Sequence, residues 1–331
     1  MRQLKSFLAA TVLLAAPAFA QESVTLKYSS FLPATTVNNA LSAPALAARL
    51  DELTEGALKI ELYPGGSLVS GGEVQMKLVL DGVADIAEIP LPYTPGRVSG
   101  LDVFELPNMA QSNSDGALAS IALIDQGLIG GMGDLIALGM LQSGPYYIHT
   151  KDEIGSLDDL RGKKLRVSGQ TQAQIVSRLG AVPVSNIPAT AMAENVSRGL
   201  IDGALVDTGN LYNFGVGDLL TYHVTNLPLG SFAVLFGLSK AKYDTLPPES
   251  QDAIDSVKGD WYTTVLGGNM DKQTQDVVAR LEASEVHHFV TLSDDDLARA
   301  DRVLSQVTEK WVAKAPENAA ILEAARTALG Q

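Results

Sequence analysis

Arg166 combines a residue type and a setting that suit the binding of a carboxylate. Residues 164–168 alternate polar and apolar side chains, which predicts a β-strand with Arg166 and Ser168 on one face at its carboxyl end. Ligands of open α/β sheets bind beyond such strand ends, and a helix predicted to begin near Thr171 adds the positive end of its dipole. A guanidinium beside a helix N-terminus forms an anion site. The alternative is an arginine that is solvated or held in an ordinary salt bridge.

The segment before this strand predicts where the strand begins. Ser156 and Asp159 have the spacing of a helix N-cap and its third helical residue, which predicts one short helical turn. Gly162 ends that turn, and the strand follows directly.

Patterns typical of catalysis or metal binding are absent from the sequence. The chain has no cysteine, so disulfides, thiol catalysis and a lipid-modified cysteine after a signal peptide are excluded. Its four histidines (His149, His223, His287 and His288) lack metal-ligand spacing, and no nucleophile elbow or phosphate-cradling loop occurs. We therefore expect no metal, no cofactor and no enzymatic activity.

Residues 1–20 are predicted to be a secretory signal peptide. They start with positive charge, continue with a short apolar run and end at the small-x-small sequence Ala18-Phe19-Ala20. The apolar run is shorter than the roughly 20 residues that a membrane-spanning helix needs, and no later stretch approaches that length. Export without a lipid anchor predicts a soluble periplasmic protein that does not insert into the membrane.

The acidic charge balance restricts the partners of the chain. A formal net charge of −14 argues against nucleic acids and anionic membrane surfaces. Cleavage of the signal peptide removes positive charges and leaves the mature chain more acidic still. An anionic ligand therefore needs a local positive site, a requirement that Arg166 meets.

Hydrophobic periodicity predicts an α/β chain. The sequence Gly-x-x-Asp-x-Ala occurs between a helix and a strand at both 82–87 and 199–204. This repeat and the alternation of strands and helices predict two similar, mainly parallel α/β lobes that present strand ends to a shared cleft. The predicted strands are 26–31, 58–62, 84–89, 164–168, 182–184, 203–206 and 231–238, and the predicted helices are 37–55, 73–80, 171–179 and 190–199.

Two further helices are predicted in the C-terminal third. The first begins near Leu246 and runs to about Ser284, long enough to lie across both lobes, and the second begins at Ser293. Gly267 and Gly268 interrupt the first of them and allow either close packing or a bend.

Several short segments together resemble the solute-binding proteins of TRAP transporters, the tripartite ATP-independent periplasmic transporters. The resemblance covers nearly all of residues 24–313. Each segment is short, so their shared order and spacing carry the resemblance. The matching segments are 58–68, 82–85, 104–107, 157–167, 199–203 and 243–247.

The resemblance implies a two-lobed periplasmic binding protein fold, with lobes joined by hinge strands and braced by one long helix. The first lobe is then expected at 21–144 and 232–272, and the second at 145–231 and 273–331. The lobes close on a ligand, and the closed form docks on the membrane permease subunits. The resemblance also implies that Arg166 is the carboxylate-binding residue, a role for which a bidentate guanidinium suits better than an ammonium.

Departures from the family pattern predict the character of the pocket. Tyr146 stands where some members, including sialic-acid binders, have a second arginine. Val206 replaces a frequent asparagine, and Ala189 replaces a frequent aromatic residue. Three places that are often polar or charged hold Phe31, Pro90 and Tyr93. One anion site with an apolar or aromatic wall disfavours polyhydroxylated sugar acids and dicarboxylates.

The sequence thus predicts a binding protein for a small monocarboxylate with an apolar or aromatic body, such as a 2-oxo acid or an aromatic acid. Asp207 and Asn210 are candidates for binding a ligand hydroxyl or amine. Ser168, Gly169 and Gln170, at the start of the helix after Arg166, complete the predicted ligand-binding set. Two rival hypotheses are a binding protein that feeds a sensor or another transporter class, and a secreted α/β enzyme.

Overall fold

The computed structural model describes residues 23–109 and 111–331, and the predicted signal peptide lies outside these residues. The described strands form two sheets, with orders β2-β1-β3-β10-β4 and β11-β9-β5-β8-β6-β7. The strands are β1 (Val24–Ser29), β2 (Leu58–Tyr63), β3 (Ile86–Pro90), β4 (Leu135–Ser143), β5 (Tyr146–Thr150), β6 (Lys164–Arg166), β7 (Val182–Val184), β8 (Gly203–Asp207), β9 (Tyr222–Val224), β10 (Phe232–Ser239) and β11 (His288–Val290).

Helices flank the two sheets, so each sheet is the centre of one α/β lobe. The α-helices are α1 (Ala43–Leu53), α2 (Gln75–Leu80), α3 (Asn113–Asp125), α4 (Gln170–Arg178), α5 (Met192–Ser197), α6 (Lys240–Tyr243), α7 (Pro248–Val257), α8 (Asp260–Glu282), α9 (Asp294–Val312) and α10 (Asn318–Ala328). A π-helical turn, Asn38–Ser42, precedes α1. Short 3₁₀ helices lie at Leu91–Tyr93, Leu101–Glu105, Leu157–Leu160, Ala189–Ala191 and Thr208–Asn210.

The core of the first lobe lies on its central strands. Every residue of β3 and β10 is buried. Both faces of these strands are covered, so the strands are apolar along their length rather than alternating. Glu88, in the middle of β3, is a carboxylate within this apolar strand.

The chain crosses between the two sheets three times, and two of these connections lie side by side. It leaves the first sheet after Ser143, enters the second at Tyr146, and returns to the first at Phe232. The two connections are hydrogen-bonded to each other: the Tyr146 amide donates to the Gly230 carbonyl at 2.7 Å, and the Leu229 amide donates to the Tyr146 carbonyl at 2.9 Å. The lobes are therefore joined by a paired ribbon of two strands.

The predicted helix over 246–284 is two helices, α7 and α8, so the single-helix prediction is wrong. Gly259 breaks it, because this residue adopts the left-handed conformation at φ 72°. Gly267 and Gly268 do not interrupt α8. A Cβ at Gly267 would lie 2.7 Å from the Ser114 Cα of α3, whereas one at Gly268 would meet nothing within 4 Å. Gly267 thus serves close packing, one of the two predicted alternatives.

Helix α8 contacts both lobes. Its Asp271 carboxylate accepts hydrogen bonds from the Asn113 and Ser114 amides at the start of α3, at 2.8 and 3.1 Å. Two residues on, Gln273 Nε2 donates to the Gly209 carbonyl, in the 3₁₀ helix that follows β8, at 2.9 Å. The prediction of a long helix that spans both lobes is confirmed in α8.

The C-terminal helix returns to the first lobe. Helix α10 packs on α3, and a Cβ at Gly100 would lie 3.1 Å from Ile321 Cδ1 of α10. The last residue, Gln331, donates from Nε2 to the Met109 carbonyl at 2.6 Å. Among the described helices, none is both long and apolar enough to cross a membrane.

Candidate functional site

Arg166 ends β6 with a guanidinium that is buried but not neutralised. The residue is 2% exposed, between Leu165 and Val167, which pack into the core. Its Nε donates to the Ile187 carbonyl at 3.0 Å, and an Nη donates to the Tyr93 hydroxyl at 3.2 Å. No carboxylate of the described residues forms an ion pair with it. A buried charge without a counterion is costly, so this side chain is set to receive an anion.

Four aromatic side chains form a continuous wall beside the guanidinium. The rings of Tyr146 and Phe232 stack at 6.3 Å with an interplanar angle of 2°. Phe232 meets Tyr93 edge-on at 5.4 Å, and Tyr93 lies 6.3 Å from Phe31. Burial raises the pKa of the Tyr146 phenol well above its usual value, so its hydroxyl stays protonated and can donate to an anion. The wall draws on both lobes and offers ring faces and edges to an apolar ligand body.

These residues enclose a small cavity of about 50 Å³ between the lobes. A larger groove of about 590 Å³ lies beside α9, but Arg166 does not line it. The small cavity is the candidate site because it collects the uncompensated guanidinium and the aromatic wall. Its lining residues are Phe31, Leu32, Thr36, Val37, Asn38, Glu88, Tyr93, Leu141, Ser143, Tyr146, Arg166, Ala189, Asn210, Asn213, Phe214, Phe232, Val234 and Met270.

One polar group of the cavity is a cluster around Asp207. The Asp207 carboxylate accepts from Ser143 Oγ at 2.7 Å and from Asn210 Nδ2 at 3.0 Å. Asn210 Oδ1 in turn accepts from Asn213 Nδ2 at 2.8 Å. Burial raises the pKa of Asp207, although the hydrogen bonds from Asn210 and Ser143 act in the opposite direction. The cluster satisfies most of its own hydrogen-bonding groups.

A second polar group comes from the first lobe. Glu88, which is 1% exposed, accepts hydrogen bonds from Ser30 Oγ and from Asn38 Nδ2, the latter at 3.1 Å. Burial raises the pKa of the Glu88 carboxyl, partly offset by these two bonds. The other amide atom, Asn38 Oδ1, is buried and has no hydrogen-bond partner among the described residues.

The structure brings half of the predicted ligand-binding residues into the cavity wall. These are Phe31, Tyr93, Tyr146, Arg166, Ala189 and Asn210. Asp207 lies behind the wall and reaches it through Ser143 and Asn210. The remaining predicted residues do not line the cavity; they are Pro90, Ser168, Gly169, Gln170 and Val206.

Each residue outside the wall has another environment. Val206 packs in the core of the second lobe, and Pro90 lies within buried β3. Gln170 starts α4 and lines the larger groove. A Cβ at Gly169 would lie 3.1 Å from Pro92 of the first lobe, so Gly169 forms a contact between the lobes. Ser168 is buried two residues after Arg166, and its side chain interacts with the Tyr146 phenol.

Several residues of the cavity wall were not predicted from the sequence. Glu88 carried a usable signal, since a carboxylate inside an apolar strand is unusual and marks a special environment. Asn38 and Phe232 carried no such signal: one lies in a predicted helix and the other in a predicted apolar strand. Their role depends on which side of the element meets the other lobe.

Two α/β lobes that meet at a cavity holding an uncompensated arginine define the class of two-lobed solute-binding proteins. Residues 29–315 match the bacterial extracellular solute-binding protein family 7, DctP. The chain therefore belongs to this family, the TRAP solute-binding proteins.

Individual relatives agree with this assignment. A solute-binding protein of Albidiferax ferrireducens is 26% identical over 266 residues, which are 76% of this chain and 75% of the relative. A solved TRAP solute-binding protein of an unidentified marine microbe, described as specific for aromatic acid ligands, contains meta-hydroxyphenylacetate. It is 28% identical, with a TM-score of 0.87 over 93% of this chain and 99% of that chain. A second structure from the same source, with the same described specificity, contains 3-hydroxybenzoate; it is 27% identical, with a TM-score of 0.87 over 93% and 98% of the two chains.

The predicted fold class and family are therefore confirmed. The chain is a solute-binding protein of the TRAP type and not an enzyme, which removes the secreted-enzyme hypothesis.

Proposed function

We propose that this protein captures a small aromatic monocarboxylate in the periplasm and delivers it to TRAP permease subunits. The single observation that carries the proposal is the buried, uncompensated guanidinium of Arg166 beside a wall of four aromatic rings. A carboxylate neutralises the guanidinium with two parallel hydrogen bonds. The ring of the ligand then packs against Tyr93, Phe232 and their neighbours.

The charges around the cavity favour one carboxylate over two. The described lining contains a single basic residue, Arg166, and Tyr146 offers only a neutral hydroxyl. The buried carboxyls of Glu88 and Asp207 lie in or directly behind the wall. They would repel a second ligand carboxylate. The marine relatives with aromatic acids support the same ligand class for this chain.

Closure of the lobes on the ligand would be the transport signal. The hydrogen bond from Arg166 to Tyr93 joins the two lobes across the site, and the paired ribbon at Tyr146 and Gly230 connects them behind it. A ligand that bridges both lobes stabilises the closed state by its differential affinity. We infer delivery to a permease and a soluble periplasmic location from membership of the family, whose name describes extracellular solute binding.

We also propose the lobe division expected from the sequence, 21–144 with 232–272 and 145–231 with 273–331. Helix α10 departs from this division, because it packs on α3 of the first lobe.

A thermal-shift screen of the purified mature protein tests the ligand class. Benzoate, phenylacetate and their hydroxylated forms should raise Tm by about 5–10 °C at a ligand concentration near 100 times Kd. Succinate and 2-oxobutyrate should raise it much less. Mass spectrometry should recover the bound acid unchanged. Stronger stabilisation by succinate or 2-oxobutyrate would refute the aromatic-acid assignment.

A further inference from the structure

We propose that Asn38 and Glu88 form a second polar subsite, which accepts a hydrogen bond from a hydroxyl on the ligand ring. The preferred ligands are then hydroxylated aromatic acids, bound by their carboxylate at Arg166 and by their hydroxyl at this subsite. The inference rests on the proposed function and deepens it, because it assigns the part of the ligand that Arg166 does not bind.

The two subsites belong to the same cavity but to different lobes. Arg166 enters the cavity from β6 of the second sheet. Asn38 and Glu88 enter from the π-helical turn before α1 and from β3 of the first sheet. Both are buried, at 4% and 1% exposure. A ligand with polar groups at its two ends therefore contacts one subsite in each lobe.

Beside an ionised Glu88 carboxylate, the Asn38 side chain has one consistent orientation. Its Nδ2 donates to the Glu88 carboxylate at 3.1 Å. The flipped amide would place Oδ1 against that carboxylate, where two acceptors would face each other. Asn38 Oδ1 is thus the buried atom without a partner among the described residues, and Asn38 is one of the residues that line the cavity. A buried acceptor of this kind requires a donor.

The Glu88 carboxylate has acceptor capacity left over. It receives hydrogen bonds from Ser30 and Asn38, whereas an ionised carboxylate has about four lone-pair sites. The unused hydrogen-bonding capacity of the subsite therefore consists mainly of acceptors. This chemistry selects an O–H or N–H group and rejects a second carboxylate.

The polar cluster at Asp207 differs in this respect. Asn210 Nδ2 contacts Ser143 and Asp207, and Asn210 Oδ1 accepts from Asn213. None of the side-chain atoms of Asp207, Asn210 or Ser143 is a buried atom without a partner among the described residues. The cluster is complete without a ligand, so the requirement for a ligand donor falls on the Asn38–Glu88 subsite.

Titration calorimetry with three acids tests the subsite. The acids are 3-hydroxybenzoate, benzoate and 3-fluorobenzoate, which carry a donor, no substituent and a substituent that cannot donate. The wild-type protein should bind 3-hydroxybenzoate about tenfold more tightly than either of the others. In Asn38→Leu this preference should disappear.

Two further variants make the result decisive. Arg166→Lys should weaken the binding of all three acids and leave their ratio unchanged. Glu88→Gln keeps the side-chain volume but replaces an acceptor with a donor, so it should reduce the preference for 3-hydroxybenzoate over benzoate. This variant tests the subsite independently if Asn38→Leu is unstable.

The possible failures are distinguishable. Equal binding of the three acids by the wild type, or a ratio that survives both Asn38→Leu and Glu88→Gln, overturns the subsite alone. If the wild type binds none of the three acids, the aromatic-acid function fails and the subsite fails with it.

Discussion

Arg166 defines the site because its buried guanidinium has no carboxylate counterion among the described residues. Its hydrogen bonds to the Ile187 carbonyl and the Tyr93 hydroxyl orient the guanidinium but leave its charge unbalanced. Several surface arginines of the same chain, such as Arg299 with Asp158, have carboxylate partners, and their charge is also screened by water. Arg166 is buried and lacks both kinds of compensation.

Replacing Arg166 by lysine should reduce affinity for the ligand about 30- to 100-fold. A lysine keeps the charge but loses the two parallel hydrogen bonds to a carboxylate. Calorimetry with benzoate measures the change, and Arg302→Lys, at an exposed arginine of α9, is the matched control that should bind normally. Full affinity in Arg166→Lys would show that the guanidinium does not hold the carboxylate.

At the scale of elements, α8 contains two adjacent glycines whose surroundings differ. Gly267 is buried against α3, and its added Cβ would lie 2.7 Å from a backbone atom of Ser114. Gly268 is exposed, and its added Cβ would meet nothing within 4 Å. The same substitution at neighbouring positions should therefore have opposite effects.

Gly267→Ala should destabilise the protein by about 1–3 kcal/mol, because α3 and α8 must move apart. Gly268→Ala should stabilise it by up to about 1 kcal/mol, the gain in helix propensity. Urea unfolding of both variants measures the two changes. Changes of the same sign would mean that the crossing of α3 and α8 is looser than the structure shows.

Three histidines form a buried chain across neighbouring strands of the second sheet. His149 Nδ1 lies 2.7 Å from His223 Nδ1, and His223 Nε2 lies 3.0 Å from His287 Nδ1. His288 points the other way, toward the Tyr222 ring, as expected for adjacent residues of a strand. Burial first, and then the neighbouring histidines, lower the pKa of His149 and bring that of His223 to about 4.

The three buried histidines should make the stability of the protein sensitive to acid. The unfolded histidines bind protons near their ordinary pKa of about 6.5, whereas the folded ones do not, so stability falls as pH drops from about 6.5 toward 4. His223→Gln should flatten this part of the pH profile, measured by urea unfolding, while the exposed His288→Gln should retain it. An unchanged profile in His223→Gln would assign the acid sensitivity elsewhere.

At the scale of the whole molecule, Glu105 lies where the lobes face each other. Its carboxylate would be 3.7 Å from a Cβ at Gly169, the residue that caps α4 of the second lobe. Burial first, and then the charge of Asp102, raise the pKa of Glu105 to about 8, against the opposing effects of Thr171 and Lys314. Glu105 is therefore mostly protonated in the folded protein at neutral pH.

Glu105 should cost the protein stability at alkaline pH. Because its pKa is raised in the folded protein, the contribution present below about pH 4.5 is lost as pH rises through about 8. Glu105→Gln should match the wild type near pH 4 and exceed it in Tm at pH 8–9. Glu317, an exposed carboxyl, lines the larger groove beside α9 together with Glu105. Glu317→Gln should have the Tm of the wild type at every pH. Equal Tm values for Glu105→Gln and wild type at pH 9 would contradict this account.

The sequence by itself determined the features that depend on local periodicity. The alternation in 164–168 placed Arg166 on a strand with apolar neighbours packed inward, and the capping box of Ser156 and Asp159 is present as predicted. The repeated Gly-x-x-Asp-x-Ala segments each run into the first residues of a strand, β3 in one sheet and β8 in the other. These local patterns hold because a strand alternates its side chains between two faces and because a capping box satisfies the first amides of a helix wherever it lies in the fold.

Helix α3 was not predicted from the sequence. Helix α3 has buried residues around its circumference, because it packs against α8, β4 and α10 at once, so it lacks a simple amphipathic stripe. The break at Gly259 was equally invisible, since the apolar stripe continues from α7 into α8 across it.

Only the tertiary structure decided how the site is composed. The residues that line the cavity come from distant parts of the sequence, and the packing of the two lobes brings them together; they include Phe31, Glu88, Tyr146, Arg166 and Phe232. Local periodicity states which face of an element is buried but not which other element buries it. The arginine could therefore be identified from its strand, whereas its aromatic wall and the opposing Asn38–Glu88 pair emerge only when the two lobes meet.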